Sequence, residues 1–180
     1  MTATALRPPR LAAHSPASDR LFSSWAKATS AAAFFLLFAG GMVTSTGSGL
    51  AVPDWPLSFG TINPPMIGGI FFEHGHRLIA GIVALMSCLL AVLSRSPNVP
   101  VGAKTAARLA AVGILIQALL GGLTVLLKLP PAVSISHACL GQGVFCLLFA
   151  AAVLSSSSGA PNAKVFRFAV LGFTAAYLQL

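Results

Sequence analysis

Long apolar segments, each close to the length needed to cross a lipid bilayer, constrain this chain more than any other feature. Four of them occupy residues 25–44, 72–93, 109–127 and 132–154, and a fifth occupies residues 165–180. About 20 apolar residues span the hydrocarbon core as a helix. We therefore predict an all-α integral membrane protein, a four-helix transmembrane bundle plus the start of a fifth helix.

The composition agrees with a membrane protein. Hydrophobic residues make up 56% of the chain and charged residues only 8%, whereas soluble domains carry roughly 25% charged residues. The net charge of +8 comes from basic residues that lie between the apolar segments and form no basic stripe interleaved with aromatic residues. We therefore expect no nucleic-acid partner. Cys88, Cys139 and Cys146 lie within apolar segments and are interpreted as small buried hydrophobes.

These segments divide the chain into four parts. We assign residues 1–24 to a cytoplasmic tail, 25–158 to the four-helix transmembrane half, 159–164 to a linker and 165–180 to a partial fifth helix. At 1.5 Å per residue the last segment extends only about 24 Å, which is short of the roughly 30 Å hydrocarbon core. We therefore expect a fragment of a longer protein.

Basic residues indicate the orientation in the membrane. They lie in the N-terminal tail, in residues 95–108 and at Lys164 and Arg167, whereas residues 50–70 contain none and Lys128 stands alone. Because cytoplasmic loops are enriched in Lys and Arg, we predict a cytoplasmic N-terminus, with residues 50–70 and Lys128 outside. We expect the cell inner (plasma) membrane rather than the mitochondrial inner membrane.

A short internal repeat suggests two hairpins of related design. Residues 38–44 and 119–125 both contain paired glycines, and each precedes an apolar segment with a histidine near its outer start, His76 and His137. Because these two segments cross in the same direction, we expect both imidazoles at one depth, as bis-histidine heme ligation requires. The alternatives are a chance repeat and two independent interfacial histidines.

A charged cluster at residues 73–77 opens the second apolar segment. Charged groups at a membrane helix usually have a function or a partner. Glu73 precedes His76 by three residues and shares its helical face, where a carboxylate could accept protons or stabilise positive charge. Glu73 also precedes Arg77 by four residues, so an intrahelical ion pair is the alternative. We interpret His74 as a bystander.

Several spaced motifs resemble the heme A synthase family. They are GGMVTSTGSGL at residues 40–50, PDWPL at 53–57, EHGHR at 73–77, QALLGGLTV at 117–125 and the Ser136-His137 pair. The resemblance runs from about residue 34 to the end of the chain. It is specific because the motifs occur in the family's order.

The resemblance implies an oxidoreductase that oxidises the methyl group of heme o to a formyl group, with water as the oxygen source. The product, heme A, serves terminal cytochrome oxidases. The family has two similar four-helix halves, each with a histidine pair. The N-terminal half, which this chain resembles, takes heme o as substrate, and the missing C-terminal half holds a heme b cofactor.

The resemblance also assigns residues and partners. It implies that His76 and His137 are the metal ligands that hold heme o, that Glu73 is catalytic and that Arg77 is a cofactor-binding contact for a heme propionate. The implied partners are heme o, membrane lipid, heme o synthase and an electron acceptor. A homo-oligomer is a further expectation, since a complete chain of this length would need a second copy or partner for another heme site.

One departure from the family and two other functions also bear on this prediction. Many bacterial members carry a cysteine pair at positions that fall on Val52 and Ser58 here, so no redox role of such a disulfide transfers. The main alternative is a non-catalytic membrane b-type heme-binding or electron-transfer protein, which needs His76 and His137 but not Glu73. A scaffolding subunit without heme is the other.

Overall fold

The computed structural model describes residues 16–156, which form four long helices. They are α1 (Pro16–Ser45), α2 (Gly68–Leu93), α3 (Val101–Leu126) and α4 (Pro131–Ser156). Each is long and apolar enough to cross a membrane. The prediction of an all-α, multi-pass membrane bundle is confirmed. The predicted linker, the partial fifth helix and the first part of the tail lie outside the described residues.

The four helices form a ring in which each packs against two neighbours. Helix α1 contacts α2 and α4, and helix α3 contacts the same two helices. Consecutive helices alternate in direction, as in an up-and-down bundle. As a result α2 and α4, which carry His76 and His137, run the same way and lie diagonally across the bundle.

Every helix begins before its predicted apolar segment, and two of them begin well before it. Helix α1 starts at Pro16, inside the expected tail, and α3 starts at Val101 instead of near residue 109. Apolarity marks only the part of a helix that lies in hydrocarbon, so polar turns beyond the membrane surface escape it. Pro16 and Pro131 each occupy a first helical position, where the missing N–H of proline costs nothing.

Small residues let the helices approach closely from the middle of the bundle to the end away from the histidines. A Cβ at Gly113 would lie 2.7 Å from Cγ2 of Val144 on α4. Small residues in contact are typical of membrane helix interfaces. The buried alanines of α3 and α4 are Ala103, Ala106, Ala107, Ala110, Ala111, Ala151 and Ala152.

The two connections at the histidine end of the bundle differ in length and are packed together. Residues 46–67 form a long loop between α1 and α2, whereas residues 127–130 form a tight turn in which Lys128 and Leu129 both have φ of 59°. The long loop reaches the other hairpin, because a Cβ at Gly49 would lie 3.4 Å from Cδ1 of Leu129. It therefore covers the end of the bundle that carries the histidines.

Candidate functional site

The imidazole of His76 projects from α2 against the backbone of α1. A Cβ at Gly40 would lie 3.2 Å from Cε1 of His76, which is tighter than ordinary side-chain contacts. The ring also lies beside the backbone carbonyl of Leu36, one helical turn before Gly40. Glycine at position 40 therefore provides the space that the imidazole occupies.

The imidazole of His137 has the same surroundings on the other hairpin. A Cβ at Gly121 of α3 would lie 3.1 Å from Cε1 of His137. This ring lies beside the backbone carbonyl of Gln117, again one turn before the glycine. The repeat seen in the sequence thus corresponds to a helix contact that the two hairpins share.

The two histidines lie at one end of the bundle. Gly40 and Gly121 each come five residues before the end of their helices, at Ser45 and Leu126. The imidazole of His137 also lies close enough to act electrostatically on that of His76. The pair therefore spans the diagonal of the bundle at a single level, near the long loop.

The free hydrogen-bonding capacity of both rings fits an iron porphyrin. Nδ1 of His76 and Nδ1 of His137 are buried and have no hydrogen-bond partner, although most buried polar atoms in proteins have one. Metal-bound histidines usually place a backbone carbonyl or carboxylate beside the ring, and both rings have such a carbonyl nearby. Among residues 16–156 no group of three or more His, Cys, Asp or Glu could hold a bare metal ion. A donor set of two imidazoles suits heme, which needs only axial ligands from the protein.

Glu73 is a buried carboxylate whose two oxygens are both bonded. Its Oε1 accepts a bond of 2.6 Å from Nη2 of Arg77, and its Oε2 accepts one of 2.8 Å from the backbone N–H of Val52. The side chain of Glu73 is only 5% exposed. The intrahelical ion pair considered from the spacing is therefore present, and the bond from Val52 joins Glu73 to the long loop.

Arg77 commits both of its terminal amino groups to the protein. Nη1 donates to the backbone carbonyls of Asp54 at 2.7 Å and Leu57 at 2.9 Å, and Nη2 donates to that of Val52 at 3.0 Å as well as to Glu73. The guanidinium thus fixes the path of the loop. A contact with a heme propionate, predicted from the family resemblance, stays a prediction and would use the remaining Nε–H.

His74 also anchors the long loop. Its Nδ1 and Oγ of Ser58 lie 2.7 Å apart, and both residues are buried. Its side chain therefore has a partner of its own, away from the His76 pocket. Sequence reasoning missed this anchoring role, and no spacing rule connects a loop serine with a histidine sixteen positions later.

The loop has an internal turn held by Asp54. Oδ1 accepts the backbone N–H of Phe59 at 2.7 Å and Oδ2 accepts that of Gly60 at 2.8 Å. Both bonds hold the pKa of the Asp54 carboxyl below its ordinary value of 3.8, and the bond from Gly60 has the larger effect. Bonds to the ionised form have this effect because protonation would weaken them.

Two other residues of the site were not singled out by the sequence. Trp55 of the loop lies against α3, because a Cβ at Gly122 would be 2.6 Å from Cδ2 of its indole. Gln117 donates from Nε2 to the backbone carbonyl of His137 at 2.8 Å. Gln117 belonged to a motif that resembles the family, but neither contact could be read from one chain.

Cavity volume does not locate the site. A recess of about 320 Å³ opens at the opposite end of the bundle, lined by Asp19, Phe22, Asn98, Val99, Pro100, Ser155 and Ser156. A smaller one of about 140 Å³ lies on α1, lined by Leu37, Phe38, Gly41 and Met42. Neither lies between the imidazoles, so the candidate site rests on the histidine surroundings.

Comparison with known proteins gives consistent results. The chain is 34% identical over 137 residues to the heme A synthase of Bacillus cereus (strain AH187), covering 74% of this chain and 43% of that protein. It is 29% identical over 141 residues to the heme A synthase of Caulobacter vibrioides, covering 72% and 40%. A protoheme IX farnesyltransferase of Haloarcula marismortui is 30% identical over 129 residues, covering 72% and 27%.

Two limits apply to these similarities. The chain spans about two fifths of the length of these heme A synthases. No protein-family model matches it, and no solved structure gives a significant match.

Proposed function

We propose that this chain, which is related to the heme A synthases, binds heme o between His76 and His137 and takes part in its oxidation to heme A. Its relatives indicate an oxidoreductase that involves heme. The main support for this binding site is the repeated surroundings of the two imidazoles, each set on a glycine with a buried, unpaired Nδ1.

In this proposal heme o is the substrate, and it brings both the iron and the methyl group that is oxidised. His76 and His137 would hold the iron and so fix the orientation of the porphyrin. Apolar helices exclude bulk water at this depth, whereas the loop end of the site is nearer the aqueous phase. Water could therefore reach the porphyrin edge only from the outer side.

Glu73 is our candidate for the catalytic carboxylate. Conversion of a methyl to a formyl group with oxygen from water releases protons and electrons, so a proton acceptor and an electron acceptor are both required. Glu73 lies on the same face of α2 as His76, about one turn further out. Each of its oxygens accepts one hydrogen bond, and a carboxylate oxygen has two lone pairs. It therefore retains the capacity to accept a proton.

We also propose that Arg77 contacts a heme propionate through Nε–H. A separate proposal concerns the orientation: the site faces the outer side of the cell inner membrane and the N-terminus lies in the cytoplasm, because of the distribution of basic residues. A heme o synthase is a further proposed partner, because heme o must be formed before this step.

Ligand removal tests the heme assignment. We expect His76→Ala and His137→Ala each to lose or alter the Soret absorption of bound heme o in the purified protein, because each removes one axial imidazole. His74→Asn is the matched control, since its side chain bonds to Ser58. Spectra of both alanine variants that equal wild type would refute the ligand assignment.

A second candidate function is a heme carrier without catalysis. It is favoured by the bonding of Glu73, whose two oxygens join α2 to the loop and so have a structural use. Glu73→Gln distinguishes the two functions when heme A is measured in cells that express the full-length protein. Loss of heme A with heme still bound supports catalysis, whereas unchanged production supports the carrier.

A further inference from the structure

The two histidine surroundings are alike in outline but differ at two positions. Each ring contacts a glycine on the preceding helix, and each lies beside the carbonyl one turn before that glycine. The first difference is the residue that carries this carbonyl, which is Leu36 beside His76 and Gln117 beside His137. The second is the residue one turn after the histidine, which is Ala80 on α2 and Gly141 on α4.

On the His137 side these two differences belong to one contact. Nε2 of Gln117 donates to the backbone carbonyl of His137 at 2.8 Å. A Cβ at Gly141 would lie 2.8 Å from the same Nε2. Glycine inside a helix is less favourable than alanine, so this close approach gives Gly141 a physical reason to be glycine.

The orientation of the Gln117 amide is fixed by its partner. A carbonyl can only accept, so the amide nitrogen must face the backbone oxygen of His137. The amide oxygen Oε1 is then left buried without a partner. On the other side, Leu36 has no polar side-chain atom and Ala80 has a Cβ, so no equivalent bond can form.

We propose that Gln117 is a positioning residue for His137, acting with Gly141 through the hydrogen bond to the His137 carbonyl. His76 has no equivalent bond. The inference rests on the proposed heme site. The amide ties α3 to the turn of α4 that carries the imidazole, and the Gln117 backbone carbonyl lies beside the ring of the same histidine. The two histidines are therefore supported differently, because only His137 has its backbone carbonyl bonded by a side chain of the preceding helix.

A set of four variants tests this positioning role. Gln117→Leu removes the hydrogen bond to the His137 carbonyl, and Gly141→Ala displaces the Gln117 amide from it. The double variant has the same Leu and Ala as the His76 side. Gly143→Ala is the control on α4, because a Cβ there meets nothing within 4 Å. Circular dichroism checks that each variant keeps its helices.

With heme o bound, the readouts are heme affinity and the electron paramagnetic resonance spectrum of the low-spin iron. Loss of residues that orient a metal ligand typically lowers affinity about 10- to 100-fold, and we expect each single variant to fall near the lower figure and to broaden the signals. The double variant should be no worse than Gln117→Leu. If Gly141→Ala behaves like Gly143→Ala, or the two changes add fully, the proposal is overturned.

A heme-free readout separates this proposal from the proposed function. Nuclear magnetic resonance of protein labelled with ¹⁵N-histidine reports the imidazoles of the four histidines in the chain. Gln117→Leu and Gly141→Ala should shift or broaden the His137 signal and leave that of His74 unchanged. A wild-type protein without a Soret band would refute the heme site alone. An unmoved His137 signal in both variants would refute the positioning role alone.

Discussion

The α1–α2 and α3–α4 hairpins share one helix contact but differ in the connection that closes them. Each sets a histidine against a glycine of the preceding helix. Residues 46–67 close the first hairpin, and residues of α2 anchor this loop. The short turn at 127–130 closes the second hairpin. A repeated scaffold thus supplies the paired imidazoles, and the long loop makes the two halves chemically different.

The charged cluster exists only in the hairpin with the long loop, and the loop explains how it is tolerated. Burying an ionised carboxylate is costly unless it is paired and hydrogen-bonded. Glu73 receives the Arg77 guanidinium and the Val52 N–H. The α3–α4 turn is too short to offer a comparable set of backbone groups.

The largest expected effect comes from removing the cation of the loop anchor. Arg77→Leu should destabilise the protein by about 3 to 5 kcal/mol, because it leaves the carboxylate of Glu73 buried without its charge partner. Thermal unfolding in detergent micelles measures this. Arg95→Leu, at an exposed arginine beyond α2, is the control. Equal stability of the two variants would show that the loop is not held by this pair.

A smaller effect is expected where the loop meets the second hairpin. Gly122→Ala should cost about 1 to 3 kcal/mol, since overpacking displaces the indole of Trp55, which lies 2.6 Å from the added Cβ. In a Trp25→Phe background Trp55 is the sole tryptophan, so its emission should shift to longer wavelength as it becomes hydrated. An unshifted emission maximum would contradict a loop seated on α3.

The shared histidine contact can be tested in both hairpins at once. Gly40→Ala and Gly121→Ala should each lower heme affinity about tenfold, because the added Cβ lies 3.2 or 3.1 Å from the imidazole and must displace it. Gly41→Ala is the matched control, with nothing within 4 Å of its Cβ. Heme titration monitored at the Soret band measures the affinity of each variant. A tenfold loss in Gly41→Ala too would indicate a general helix effect.

The smallest effect concerns the pH dependence of the loop. The folded-state pKa of Asp54 lies below its ordinary value of 3.8, chiefly through the Gly60 N–H. The stabilisation is therefore complete above the ordinary pKa and is lost as pH falls through the lowered folded-state value. Asp54→Asn should flatten the stability profile below pH 3.8 while leaving it parallel to wild type near neutrality. Profiles of the same slope throughout the acid range would exclude this contribution.

Much of the fold was predictable because it depends on the bilayer. Hydrocarbon requires long apolar helices with internally bonded backbones, so the four spans could be found by apolarity alone. The polar ends of the helices could not, which is why α1 and α3 begin earlier than predicted. The candidate histidines were also predictable, because equal depth follows from counting residues along parallel spans.

The sequence by itself determined four membrane helices, a charged cluster at the start of one of them and two histidines at one level. Only the tertiary structure decided what these side chains contact. It joined Glu73 and Arg77 to backbone groups of the loop and set Gln117 against the His137 carbonyl. Backbone carbonyls and N–H groups are the same at every residue, so no sequence pattern identifies which of them a buried side chain will meet.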